Sequence, residues 1–234
     1  MEFTPVMVKT TLSLLIFLLT INFSLRAQFK AVIVENGYSY LVKSPNGGKS
    51  DERKPLLVFL HGRSLSGNNL DKVKRYGVLR AIEKGRDIDA VVIAPQTANG
   101  WDPEEVIKVI DEAIQNYPID ENRIYVCGMS MGGYGTLDLV GMYPNRFAAA
   151  VAICGGGSSK YACNLTKLPL WILHGRADKI VPMSESKKIY KAIKQCKTGA
   201  DVTLTLIPGG THGSVENLFH KDEIYDFMFK QVKE

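Results

Sequence analysis

The chain is poor in cysteine and tryptophan, with 4 and 2 among its 234 residues. No cysteine spacing matches a zinc site, so neither a metal nor any other cofactor is expected. No run of basic residues carries interleaved aromatics, and 29 Lys and Arg against 24 Asp and Glu leave a net charge of only +5. A nucleic-acid partner therefore has no support. Internal repeats, low-complexity tracts and interdomain linkers are also missing. No apolar run reaches the roughly 20 residues of a membrane-spanning helix. What is present, 45 % hydrophobic and 23 % charged residues, is ordinary for a globular domain with a sizeable core.

The first 27 residues differ from the rest. Lys9 precedes an apolar run from Thr11 to Ile21, and Ala27 supplies a small residue after it. This is the pattern of a secretory signal peptide. Residues 1–27 are read as that signal and 28–234 as one catalytic domain, exported to the periplasm or the extracellular space. An uncleaved anchor is the alternative. No cysteine closely follows the run, so a lipid-modified terminus is not indicated. An exported protein can pair its cysteines. Cys127, Cys154, Cys163 and Cys196 allow three full pairings. Cys127 lies in an apolar strand-like run and reads as a buried thiol, and Cys154–Cys163 is the preferred bridge.

From Phe29 onward, strand-like and helix-like segments alternate. Phe29 to Glu35 and Tyr38 to Lys43 read as a hairpin turning at Asn36-Gly37. The continuous apolar run at 55–60 marks a strand buried on both faces, 90–94 reads as another, and further strands are expected at 123–127, 147–153, 168–173 and 202–207. Helices are expected at 70–84, 103–116, 131–142, 183–195 and 215–232. Asp102 caps the second of these and Pro103 opens it. The alternation implies an α/β fold: a mostly parallel central sheet, helices on both faces and an N-terminal hairpin. The Gly-rich stretch 155–159 is short and leaves no room for a large cap domain.

The chemistry concentrates where strands end. Gly128-Met129-Ser130-Met131-Gly132 follows a strand and opens a helix, where a nucleophile on a sharp turn needs glycines around it. Ser130 needs a base. His212, in the loop after the last strand, suits that position better than His61, His174 or His220. Asp178, after the Leu168 strand, is the carboxylate that would orient it. Asp201 precedes its strand and lies at the wrong edge. The Met131 backbone N–H and the Arg63 N–H, with Ser64 as the other candidate, would form an oxyanion hole. Trp101, Gln96 and Ser64 are candidate substrate-binding residues, Trp101 being as readily a core aromatic.

These motifs, together with Leu60-His61-Gly62, Ala94-Pro95-Gln96, His174-Gly175 and Gly210-Thr211-His212, resemble the α/β-hydrolase superfamily over about residues 54–232. Within it the chain is similar to small secreted bacterial esterases. These include feruloyl and acetylxylan esterases, the phospholipase/carboxylesterase group and prolyl-oligopeptidase-like predicted peptidases. The resemblance implies a serine carboxylesterase working through an acyl-enzyme on small or carbohydrate-borne esters. Dienelactone hydrolases, also similar, use a cysteine where this chain has Ser130. A serine peptidase is the alternative, and a non-catalytic binding protein on the same scaffold is a third reading. The sequence leaves the acyl group, the alcohol and the oligomeric state open.

Overall fold

The expected hairpin forms β1 (Lys30–Val32) and β2 (Tyr40–Lys43), antiparallel with Val32 opposite Tyr40. The structure is a computed structural model describing residues 29–45, 52–196 and 201–233. The expected signal peptide at 1–27, the Gln28 start and much of the 44–54 loop lie outside the described residues.

The remaining strands are β3 (Lys54–Leu60), β4 (Val91–Pro95), β5 (Ile119–Met129), β6 (Ala149–Ile153), β7 (Leu170–Gly175) and β8 (Val202–Ile207). They join the hairpin in one 8-stranded sheet of order β1-β2-β4-β3-β5-β6-β7-β8. β2 meets β4 antiparallel, and every later pairing is parallel. Parallel strands must be covered on both faces, and this is why they read as unbroken apolar runs. Leu56, Leu57, Val58, Phe59 and Leu60 of β3 are each 0 % exposed.

Five helices supply the cover: α1 (Gly77–Glu83), α2 (Pro103–Asn116), α3 (Met131–Met142), α4 (Ser184–Lys194) and α5 (Glu223–Phe229). Val106, Ile110, Leu137, Val140, Ile189 and Ile193 of α2, α3 and α4 pack on one face. Val78, Leu79, Ile82, Ile224 and Met228 of α1 and α5 pack on the other. α2 starts where its sequence says it should. The Asp102 side chain accepts a hydrogen bond from Glu104 N at 2.9 Å, satisfying a first-turn donor. Between β6 and β7 the chain makes only two short 3-10 turns, Ser159–Tyr161 and Asn164–Thr166. No helix among the described residues is long and apolar enough to cross a membrane.

Two expected helices are broken. The 70–84 segment is a 3-10 turn, Leu70–Arg75, then extended Tyr76 (φ −155°, ψ 180°), then α1. Gly77 causes the break. Its φ is +76°, and a Cβ there would sit 2.1 Å from the ring of Phe59. The 215–232 segment splits likewise into a 3-10 turn, Ser214–His220, and α5. At that break Arg86 donates to the His220 carbonyl and to Asp222 Oδ1, both at 2.7 Å. Phe219 turns inward onto Phe59, with ring centroids 5.4 Å apart. In both cases tertiary contacts override a helical pattern that sequence periodicity alone supports.

The preferred disulfide also changes. Cys163 pairs with Cys196, while Cys127 and Cys154 are free and buried. Cys154 closes β6 inside the core, whereas Cys163 lies in a surface turn beside the end of α4.

Candidate active site

Ser130 occupies the turn from β5 into α3 with φ +59° and ψ −123°, a conformation that non-glycine residues rarely adopt. The strain holds because the surroundings leave no alternative. Ser130 N donates to the Ile153 carbonyl at 2.9 Å, tying the turn to β6. A Cβ on Gly132 would lie 1.8 Å from the Leu60 carbonyl oxygen, and one on Gly128 would lie 2.3 Å from that of Gly132. Only glycine lets α3 begin this close to β3.

Asp178 and His212 come from the loops after β7 and β8. Those loops are joined: Ala177 N donates to the Gly210 carbonyl at 2.9 Å. Asp178 Oδ1 accepts from Ile180 N at 2.8 Å and Val181 N at 2.9 Å. Its Oδ2 meets His212 Nδ1 at 2.7 Å, and His212 Nε2 lies 3.0 Å from Ser130 Oγ. An ionised carboxylate only accepts, so Nδ1 carries the proton and Nε2 is free to receive the serine hydroxyl proton. Burial pushes the Asp178 carboxyl up. Hydrogen bonds from His212, Val181, Ile180 and Cys154 outweigh it and hold the group below the ordinary carboxylate range.

The other histidines have different work. His61 is buried, donating through Nδ1 to the Gly62 carbonyl at 2.8 Å and accepting from Thr97 N at 3.2 Å. Burial lowers its pKa. His174 is buried between Ser186 Oγ and the Val181 carbonyl. His220 is at the surface beside Glu216. Cys154, His174 and Asp178 bring metal-capable atoms within 4.8 Å of one another. Both Asp178 oxygens already accept N–H bonds, and burial pushes the Cys154 thiol up to about 12, so it stays a protonated donor.

The cleft over Ser130 holds about 350 Å³ and is lined by Arg63, Ser64, Tyr76, Met129, Ile180, His212, Gly213 and Glu216. Arg63 opens a 3-10 turn and Met131 opens α3. Backbone N–H groups at such positions have no acceptor within the helix, so both are available to a ligand. Ser64 reaches the cleft. Trp101 and Gln96 do not line it, which corrects the expected substrate wall. Trp101 Nε1 donates to the His61 carbonyl at 3.0 Å, and its ring packs against Tyr38 and the Gly135 face of α3. Gln96, 5 % exposed, donates to the carbonyls of Leu65 and Asn69 and so braces the 62–70 loop. Tyr76, Met129, Ile180 and Glu216 went unnoticed in the sequence. The one available signal was Gly77, which interrupts a helical pattern directly after Tyr76.

The family model described as Phospholipase/Carboxylesterase matches residues 101–230. The chain belongs to this family, within the α/β-hydrolase superfamily. Curated relatives include a bifunctional acetylxylan esterase/xylanase of Neocallimastix patriciarum, 28 % identical over 160 residues covering 63 % of this chain and 23 % of that protein. The acylamino-acid-releasing enzyme of Arabidopsis thaliana is 30 % identical over 152 residues, 59 % of this chain and 19 % of the enzyme. The matched region thus spans about a fifth of each of these relatives. Among solved structures, a thermostable esterase superposes with a TM-score of 0.74 at 28 % identity, covering 87 % of this chain and 63 % of that one. The feruloyl esterase module of Clostridium thermocellum, solved with sinapinate, gives 0.66 at 15 % identity, covering 88 % and 89 %, and shares the fold.

Proposed function

We propose that the chain is a serine carboxylic-ester hydrolase, with Ser130 as nucleophile, His212 as general base and acid, and Asp178 as its orienting carboxylate. The observation that carries this reading is the unbroken Asp178–His212–Ser130 hydrogen-bond chain at the floor of an open cleft. Ser130 Oγ attacks the ester carbonyl while its proton passes to His212 Nε2. The Arg63 and Met131 amides receive the negative charge that develops on the carbonyl oxygen. The tetrahedral intermediate collapses, and His212 gives the proton to the departing alcohol. A water deprotonated by His212 then attacks the acyl-enzyme, releasing the acid and restoring Ser130.

The cleft is open, and the apolar side chains of Met129 and Ile180 and the ring of Tyr76 line it. It suits an acyl group borne on a bulky alcohol. Acylated carbohydrate is the substrate class this reading favours, by analogy with the relatives named for acetylxylan and feruloyl esters. Export, the setting in which such substrates occur, is supported by the Cys163–Cys196 bridge. Peptidase activity is the second reading, favoured by the similarity to acylamino-acid-releasing enzymes.

A panel of acetyl, longer acyl, feruloyl and peptide-amide substrates separates the two readings. The expected result is ester turnover that falls roughly 10⁵–10⁶-fold in kcat in Ser130→Ala. Equal turnover by Ser130→Ala and the parent would sink the assignment, and faster amide than ester cleavage would favour the peptidase.

A further inference from the structure

Tyr76 faces the nucleophile from the broken helix. Its phenol oxygen accepts a hydrogen bond from Gly62 N at 3.1 Å and pairs with Ser64 Oγ at 3.2 Å. A Cβ placed on Gly62 would lie 2.6 Å from that oxygen and 3.3 Å from the Ser130 Cβ. The phenol oxygen and the nucleophile therefore flank the same point, with the Arg63 amide next in the chain.

Two hydroxyls, on Tyr76 and Ser64, bring two protons, and only one is used between them. The Gly62 amide supplies its own proton to the phenol oxygen and accepts nothing. One hydroxyl proton is left without a protein acceptor among the described residues, and both side chains line the cleft. With Ser64 donating to Tyr76, the free proton is the phenol's.

Resting on the esterase reading above, we infer that the Tyr76 hydroxyl is a third donor to the substrate's carbonyl oxygen as it becomes an oxyanion. Burial, outweighing the hydrogen bonds from Ser64 and Gly62, raises the Tyr76 pKa, so the group stays a neutral donor at working pH. It donates a hydrogen bond and keeps its proton throughout; His212 alone moves protons. Its placement is enforced from behind. Gly77 N donates to Glu216 Oε1 at 3.0 Å, and the positive φ of Gly77 turns the chain so that Tyr76 points into the cleft while α1 leaves behind it.

The test compares p-nitrophenyl acetate with the matching thionoester, whose sulfur is a weak hydrogen-bond acceptor. Tyr76→Phe should lower kcat on the oxygen ester roughly 10²-fold, as expected for a lost oxyanion donor, with KM changed less than about threefold. On the thionoester the loss should stay below about threefold, because there is little hydrogen bond to lose. Ser64→Ala leaves the phenol proton in place and should cost less than Tyr76→Phe. Equal losses on both esters would mean that Tyr76 only holds the 62–64 loop. That result overturns the inference, as does a change confined to KM or no change. If Tyr76→Phe does not fold, 3-fluorotyrosine incorporated at position 76 replaces it. As a stronger donor of nearly the same shape it should raise kcat on the oxygen ester, and an unchanged or lower kcat counts against the proposal. A parent inactive on every ester overturns the esterase reading and this inference together. An active parent matched by Tyr76→Phe overturns the inference alone.

Discussion

The cleft has two walls built on different principles. One wall carries Ser130, Asp178 and His212, each set at or just beyond the C-terminal end of a parallel strand. The other carries Arg63 and Ser64, on a 3-10 turn in the loop after β3, and Tyr76, at the break between a second 3-10 turn and α1. The first is held by backbone closeness: Gly132 under Leu60, Ser130 N on Ile153, Ala177 N on Gly210. The second is held by side chains reaching across the fold, namely Gln96 to Leu65 and Asn69, and Glu216 to Gly77. Strand ends place atoms by the sheet's own register, so their geometry is inherited from the core. A loop must be braced contact by contact, and each brace can be removed separately.

The first wall is most sensitive at Asp178. Asp178→Asn keeps the shape of the first wall but favours the wrong imidazole tautomer, and steady-state esterase assays should show a kcat loss of about 10⁴-fold. The two walls separate in a pair of glycine variants. Gly132→Ala forces a Cβ into the Leu60 carbonyl. It should destabilise the fold by ~2–3 kcal/mol in urea unfolding and abolish fluorophosphonate labelling of Ser130. Gly77→Ala meets a positive φ and the Phe59 ring, and its cost in stability should be similar, ~2–3 kcal/mol. Here the first wall survives. Labelling of Ser130 should persist while ester turnover falls about tenfold, within the range of misplacement effects at a catalytic site. Loss of labelling in both variants would show that the walls are not independent.

The smallest effect concerns acid stability. The carboxyl of Asp178 has a lower pKa folded than unfolded. Its ionised form therefore stabilises the protein at pH values above the ordinary carboxylate pKa. That contribution is lost as the pH falls through the lower, folded value. Urea unfolding of the parent and Asp178→Asn should differ by a constant amount near neutrality, and the difference should shrink only in that acid window. A difference that shrinks between pH 6 and 8 would place the linkage on another group.

Much of the first wall is legible in the sequence. The glycines around Ser130 and the order of Ser130, Asp178 and His212 pointed to one edge of a parallel sheet, and the structure brings the three side chains into hydrogen-bond contact there. Trp101 and Gln96 show where such reading stops. Both follow a strand at the active edge, yet one packs behind α3 and the other braces a loop. Position along the chain says which edge a residue reaches, and not which way its side chain turns. Cys154 carries the same lesson. It lies nine positions before Cys163, but burial at the end of β6 keeps it apart, and Cys163 meets Cys196 instead.

The sequence by itself determined the alternation of strands and helices, and with it the parallel sheet, because unbroken apolar runs can only be buried on both faces. It also determined the turn at Ser130, because only glycine fits where α3 begins against β3. Only the tertiary structure decided where the two long helical patterns break, since Phe59 and Arg86 act on those segments from distant parts of the chain. For the same reason it alone decided that Tyr76 faces Ser130. A glycine's φ and a carboxylate's reach set that direction, and neither leaves a period in the sequence.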